Sequence, residues 1–142
     1  MRFQNTTAKS IGAWLIQVMF TLKHSYNKFF IVAGGRDYAD GERVELEINK
    51  ILGVDGDHTL VCGMAAGADS LGIRVARKHG WRIEKFPADW STHGKAAGPI
   101  RNEEMAHRGD ILLAFWDGSS RGTKDMINKG LKHGLEVHVY RY

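Results

Sequence analysis

The chain has 142 residues, 43% of them hydrophobic and 25% charged, and this composition predicts one ordinary globular domain without low-complexity or disordered regions. Its single cysteine, Cys62, excludes an internal disulfide and the usual cysteine zinc motifs, and it suits a reducing, cytoplasmic environment. The formal charge of +4 favours an anionic partner, but no run of basic residues is longer than two, which argues against nucleic acid as that partner.

The first segment predicts an amphipathic helix. Its apolar residues recur at helical spacing: Ile11, Trp14, Leu15, Val18, Met19 and Leu22. The apolar stretch over 11–20 is interrupted by Gln17 and is too short to cross a bilayer, so no membrane partner is expected. We therefore divide the chain into a helical extension over 1–27 and a domain over 28–142. The apolar stripe is expected to pack on that domain, with self-association next and a membrane surface last.

From residue 28 onward, short apolar runs alternate with segments of helical periodicity. The predicted strands cover 28–35, 58–63, 81–87, 110–116 and 136–142, and the predicted helices cover 40–52, 68–80, 100–107 and 123–134, with a polar connection over 88–99. Continuous apolar strands separated by helices predict a parallel sheet covered on both faces. Right-handed crossovers then give a three-layer, Rossmann-like, doubly wound α/β fold of about five strands. Ligands of such folds bind outside the carboxyl ends of the strands.

Two glycine-rich loops follow the first two strands. "GGRDY" offers backbone access and a guanidinium for an anion, through Gly34, Gly35, Arg36 and Asp37. "VCGMAAGADSLG" combines small residues with a helix start, which suits an anion at the positive end of the helix; its candidates are Gly63, Ala66, Gly67, Ala68 and Asp69. Each loop also has an explanation without a ligand. The first would be a turn with a solvated Arg-Asp pair. The second would be a helix cap at Asp69 or Ser70, with small residues that allow close helix packing.

Two further loops supply cations, hydroxyl groups and an aromatic ring. The connection after the third strand is long for so small a domain, which favours a functional role; its candidates are Trp90, Lys95, Gly98, Pro99, Arg101 and Asn102. "WDGSSRGTKDM" follows the fourth strand and predicts a phosphate cradle ahead of a helix, made by Ser119, Ser120, Arg121, Gly122 and Thr123. Neither the G-x-G-x-x-G dinucleotide fingerprint nor the P-loop lysine is present in the chain.

These motifs resemble a known family. "GGRDY", "CGMAAGADSLG", "FPADWSTHGKAAGPIRNEEMA" and "FWDGSSRGTKDMI", in this order and spacing, are similar to the YspA-like family of the SLOG superfamily of Rossmann-like nucleotide-binding proteins. The resemblance covers residues 29–140 and implies a nucleotide or nucleotide-derived ligand. SLOG relatives include sensors of nucleotide signals and the LOG, or lysine-decarboxylase-like, phosphoribohydrolases.

The LOG glycine motif extends the resemblance to single positions. Gly122 and Thr123 align with its phosphate-cradling Gly-Thr pair, and Arg101 resembles an arginine that precedes a helix in those enzymes. The catalytic glutamate of the motif is replaced by Met126. Asp125 is one residue early, and we expect it to point about 100° away around the helix. The resemblance therefore implies that the phosphate-binding residues of the LOG motif are present here and that its catalytic glutamate is not.

Three functions remain open at this point. The first is a nucleotide-binding sensor or sequestering module, in which helix N-termini hold phosphate, Asp69 or Asp37 reaches the ribose, and Trp90 or Tyr38 stacks on the base. The second is an N-glycosidic hydrolase or transferase, whose candidate carboxylates are Glu104, Asp117 and Asp89, with His93 as the acid. The third is a nucleic-acid binder. We expect a homo-oligomer, no metal site and no certain cofactor beyond the nucleotide ligand.

Overall fold

A computed structural model describes residues 12–16 and 27–142. Five parallel strands form one sheet in the order β3-β2-β1-β4-β5: β1 is Phe29–Gly34, β2 Thr59–Cys62, β3 Arg82–Lys85, β4 Ile111–Trp116 and β5 Glu136–Arg141. The helices are α1 Gly41–Leu52, α2 Ala68–His79, α3 Trp90–His93, α4 Ala97–Arg108 and α5 Arg121–Lys132. The predicted Rossmann-like fold is confirmed. The strand order reverses between β1 and β4, which places the ligand crevice of such folds at their carboxyl ends.

The sheet is buried on both faces because its central strands carry apolar residues at every position. In β1, Phe30 and Val32 point to one face, and Ile31 and Ala33 point to the other, as the two-residue repeat of a strand requires. Helices α1 and α2 cover the first face and α4 and α5 the second. This arrangement gives the three expected layers, and it aims the first turns of α2, α4 and α5 at the same edge of the sheet.

The connection after β3 differs from the prediction. Instead of a polar loop over 88–99, the chain forms α3, a 3-10 turn at Gly94–Ala96 and then α4, which begins at Ala97 rather than at Ile100. Gly98 and Pro99 therefore lie inside the first turn of α4. Proline is tolerated there because its missing N–H would have no helical acceptor and its fixed φ suits a helix.

The structure describes only part of the predicted amino-terminal helix. Residues 12–16 are helical, and within them Trp14 and Leu15 are 64% and 47% exposed. These two members of the apolar stripe are therefore not packed on the domain. The other predicted members, at 11, 18, 19 and 22, lie outside the described residues. In the part of the chain that is described, no helix has the length and apolarity needed to cross a membrane.

Candidate functional site

A cavity of about 510 Å³ opens at the carboxyl ends of the central strands. It lies between the end of β1 and the first turns of α2, α4 and α5. The predicted binding residues on its wall are Gly34, Arg36, Asp69, Trp90, Gly98, Pro99, Arg101, Asn102, Ser120, Arg121, Gly122 and Thr123. The apolar side chains of Met105 and Met126 complete the lining. The structure thus brings together residues from all four predicted loops.

The first turn of α5 is open to this cavity. Ser120 precedes the helix without a side-chain cap, because its hydroxyl lies 3.2 Å from the Thr123 hydroxyl instead. Asp117 accepts the N–H groups of Ser119 and Ser120, at 2.9 and 2.8 Å. The backbone N–H groups of residues 121–123 find no acceptor among the described residues. Unpaired donors at the positive end of a helix form a site for an anion.

Three arginines line the cavity in two different states. Arg36 and Arg121 are exposed, and their side chains form no hydrogen bond or ion pair within the described chain. Arg101 is anchored: its Nη1 donates to the Gly63 carbonyl and its Nε to Asn102 Oδ1, the latter at 3.1 Å. Two guanidinium groups are therefore free to bind a ligand, while the third has a fixed place in the wall.

A buried amide joins α4 to α5 beside the cavity. Asn102 is buried, and its Nδ2 donates to Asp125 Oδ2 at 2.9 Å. Lys129 Nζ donates to the same oxygen at 2.9 Å and to the Pro99 carbonyl at 2.7 Å. Asp125 and Met126 both line the cavity, so a carboxylate faces the site although the position of the LOG glutamate holds a methionine. The hydrogen bond from Asn102 holds the Asp125 carboxylate toward α4. The spacing of Asp125 and Lys129, four residues apart, predicts an ion pair on one face of α5, and the sequence analysis did not consider it.

Asp69 places a buried carboxyl group on the cavity wall. Its side chain is 7% exposed, and its Oδ2 accepts the Ala65 N–H at 3.3 Å. Burial raises the pKa of the Asp69 carboxyl to about 6, against the opposing effects of this hydrogen bond and of the nearby Arg101 charge. Asp69 does not cap α2, because Gly67 occupies that position. A group that titrates this close to neutral pH is suited to proton transfer.

The glycines of the second loop make room for groups that approach from other loops. Gly67 has a φ of +73°, and a Cβ there would collide with the Gly35 carbonyl. A Cβ on Gly63 would lie 2.8 Å from Arg101 Nη1, so this glycine makes room for the arginine. Among the alanines of the loop, Ala68 is buried against Gly34, whereas Ala66 is exposed.

A second cavity of about 370 Å³ adjoins the first. The two share Arg36, Ala65, Trp90 and Arg101, and the second also includes Gly63 and Ala66. The indole of Trp90 is 54% exposed and lies beside Gly98, where a Cβ would approach the ring to 3.3 Å. Trp90 is thus an accessible flat surface between the two cavities.

Several predicted binding residues lie outside both cavities. Gly35, Asp37, Gly67, Ala68, Lys95 and Ser119 line neither of them. Asp37 accepts a hydrogen bond from the Tyr142 hydroxyl at 3.3 Å. Tyr38, the alternative base-stacking residue, is buried and stacks on Phe115 with 5.1 Å between ring centroids. A nucleotide base therefore cannot stack on Tyr38 without opening the core.

The three carboxylates proposed for catalysis do not line the main cavity. Asp89 caps α3 by accepting the Thr92 N–H at 3.1 Å. Asp117 closes the turn before α5, as described above. Hydrogen bonds from Thr92 and Ser91 lower the pKa of Asp89, and those from the Ser120 and Ser119 N–H groups lower the pKa of Asp117. Glu104 is exposed on α4 and His93 on α3. The carboxylates that do face the cavity are Asp69 and Asp125.

Comparisons with known proteins agree with this architecture. The family model described as the YspA, cpYpsA-related SLOG family matches residues 30–93. The Gene 61 protein of Mycobacterium phage D29 is 42% identical over 84 residues, covering 55% of this chain and 67% of that protein. DNA processing protein A (DprA) from Streptococcus pneumoniae has a similar fold, with a TM-score of 0.65 at 16% identity. That likeness covers 80% of this chain and only 50% of the DprA chain. The chain belongs to the YspA, cpYpsA-related SLOG family.

Proposed function

We propose that the protein binds a nucleotide or nucleotide-derived ligand in the cleft at the carboxyl edge of the sheet, as a sensor or sequestering module. One observation carries this proposal: the first turn of α5 opens, uncapped, into a cavity that also holds the free guanidinium groups of Arg36 and Arg121. Helix N–H groups and guanidinium groups together match the geometry and charge of a phosphate. Family membership supports a nucleotide over other phosphorylated compounds.

The rest of the cleft suits the remaining parts of a nucleotide. Trp90 offers an exposed indole on which a base can stack. Asp69 has carboxylate oxygens at the cavity wall that can accept ribose hydroxyl groups. Met105 and Met126 supply an apolar floor. A ligand bound this way would place its phosphate at α5 and its base toward the second cavity.

Calorimetric titration tests the proposal directly. The full chain is titrated with AMP, ADP, ATP, NAD and ADP-ribose, and with adenosine as the ligand that lacks phosphate. We expect binding of at least one phosphorylated compound and much weaker binding of adenosine. Arg121→Ala and Arg36→Ala should each weaken binding about 10- to 100-fold, since a hydrogen bond to a charged group contributes about 1.5–3 kcal/mol.

Arg77→Ala is the matched control for these two variants. Arg77 is exposed near the end of α2, its side chain forms no hydrogen bond or ion pair within the described residues, and it lies outside both cavities. Its replacement should leave the affinity unchanged. Absence of binding for every phosphorylated compound at millimolar concentration would refute the proposed function, as would equal affinity for adenosine.

Cleavage of the N-glycosidic bond of such a nucleotide is a second candidate function. The observation that favours it is Asp69, a carboxyl group with a pKa of about 6 inside the cavity, because departure of a base needs a nearby group to donate a proton or to stabilise charge on the sugar. Chromatography of nucleotides incubated with the protein would detect free base. Release that disappears in Asp69→Asn would establish the enzyme, whereas bound but intact nucleotide would leave a binding module.

DNA is an alternative ligand for the cleft. The structure with a similar fold is named as a DNA processing protein. A fluorescent oligonucleotide tests this alternative at several salt concentrations. Binding that weakens steeply with salt, and that mononucleotides fail to compete for, would favour DNA.

A homo-oligomer remains part of the proposal. Trp14, Leu15 and Ile16 are exposed on the helical segment 12–16, and large apolar side chains at a surface favour contact with a second copy. Light scattering of the full chain should show more than one subunit per particle, and Trp14→Asp together with Leu15→Asp should reduce it to one. A monomeric wild-type chain would exclude this.

A further inference from the structure

Two histidines and a glutamate meet at the end of the α4–α5 pair opposite the cleft. Glu103 and His107 lie one turn apart on α4, and His133 directly follows α5. Both helices start at the cleft and run toward the opposite edge of the sheet. The cluster therefore lies away from the proposed nucleotide site, and nothing in that proposed function uses it.

The donor atoms of these three side chains lie close together. Glu103 Oε1 is 2.6 Å from His133 Nε2 and 3.6 Å from His107 Nε2, and the three atoms all lie within 4.8 Å of one another. Ligand atoms of a tetrahedral zinc ion are about 3.3 Å apart, given bond lengths of about 2.0–2.2 Å. Small side-chain rotations would thus bring all three donors to bonding distance.

His107 faces the same carboxylate because it lies four residues after Glu103 on α4. His107 lies with its ring centroid 4.2 Å from that of His133, at an angle of 52°, so two imidazole groups face one carboxylate. A second pair in the chain shows the contrast: His138 lies 2.8 Å from Glu136, and no third donor joins that pair in the described part of the protein.

We propose that Glu103, His107 and His133 bind a divalent transition-metal ion, with zinc as the ion that fits best. Two imidazole nitrogens and one carboxylate oxygen are a donor set that zinc accepts readily, and three protein ligands leave a coordination position for water. His107 is exposed enough, at 66% of its side chain, for an ion to enter from solvent. A bound ion would join the end of α4 to the end of α5 and stabilise the folded state.

Metal titration of the full chain, without a polyhistidine tag and after removal of metal by a chelator, tests the site. Zinc binding is measured by calorimetry, and cobalt(II) serves as a probe whose visible absorption reports imidazole coordination. We expect one ion per chain, a cobalt spectrum that zinc displaces, and a higher melting temperature with zinc. Loss of even an outer-shell partner costs a metal site about 10- to 100-fold in affinity, so His107→Ala should weaken zinc by at least about tenfold.

His107→Ala removes an exposed side chain that makes no hydrogen bond necessary for folding, so the variant is expected to fold. His138→Ala is the matched control, because it removes an imidazole that also lies beside a carboxylate but in a pair without a third donor. The zinc affinity of this variant should equal that of the wild type. Equal zinc affinity of His107→Ala and the wild type, or no zinc binding by the wild type, would overturn the proposal. Nucleotide binding by the zinc-free protein is measured separately, so either proposal can fail without the other.

Discussion

Replacing Asp69 by asparagine should stabilise the folded protein at neutral pH. At pH 7 the protein holds an ionised carboxylate at a buried position that favours the neutral acid, because burial raises the pKa of this group to about 6. Asparagine has nearly the same shape and carries no charge. Its side-chain oxygen can still accept the Ala65 N–H, so the variant removes the cost of the charge and keeps the contact.

The size of the effect follows from the two pKa values. An unfolded chain holds the carboxyl near its ordinary value of 3.8, whereas the folded chain holds it at about 6. At about 1.4 kcal/mol per pKa unit, this difference corresponds to about 3 kcal/mol. Between pH 3.8 and about 6 the folded state binds more protons than the unfolded state. Asp69 therefore lowers the free energy of unfolding as pH rises through this window, and the loss is complete above it.

Urea unfolding of wild type and Asp69→Asn between pH 4 and pH 7.5 measures this quantity. The free energy of the variant minus that of the wild type should rise by about 2.5 kcal/mol across the range, most of the full effect, and taking the difference cancels every other titrating group. Asp55→Asn is the control for the loss of one carboxylate, because Asp55 is exposed and its side chain has no partner in the described structure; its free energy of unfolding at pH 7 should equal that of the wild type. A flat curve for Asp69→Asn, or a variant less stable at pH 7, would refute the reasoning.

Further outcomes follow from other sites. Gly67→Ala should lower the free energy of unfolding by about 2 kcal/mol or more, because its φ is +73° and a Cβ would meet the Gly35 carbonyl; unchanged urea unfolding would contradict this. Gly122→Ala should leave that free energy unchanged or slightly higher, since a Cβ there meets nothing within 4 Å. The same variant should weaken phosphorylated ligands in calorimetry, because the methyl group would crowd the open helix end, and undiminished affinity would argue against phosphate at α5. Burial lowers the pKa of His58 below 6.5, so the neutral ring is favoured in the fold and the wild type should lose stability as pH falls below 6.5. The difference between wild type and His58→Gln should therefore shrink toward pH 5, and a constant difference would exclude this cause.

Much of the fold follows from local pattern. The continuous apolar run that contains β1 requires burial on both faces, and the helical repeats between such runs require crossovers, so a parallel sheet is the consistent solution. Parallel strands place all their carboxyl ends at one edge, which is why four separate loops could be assigned to one site. Gly34, Trp90, Arg121 and Thr123 line the cavity for this reason.

The roles of particular residues within that edge depended on tertiary contacts. Asp125 faces the cavity because Asn102, twenty-three positions earlier, donates a hydrogen bond to it. Gly67 and Gly63 are small because the Gly35 carbonyl and Arg101 approach them from other loops. Tyr38 is not accessible to a ligand, because it is buried in the core and stacked on Phe115. Sequence spacing indicates which side of a helix or strand a residue occupies. It does not indicate which residues from distant parts of the chain contact that side. The burial of Asp69, and with it the raised pKa of its carboxyl group, depends on how the helices pack on the sheet.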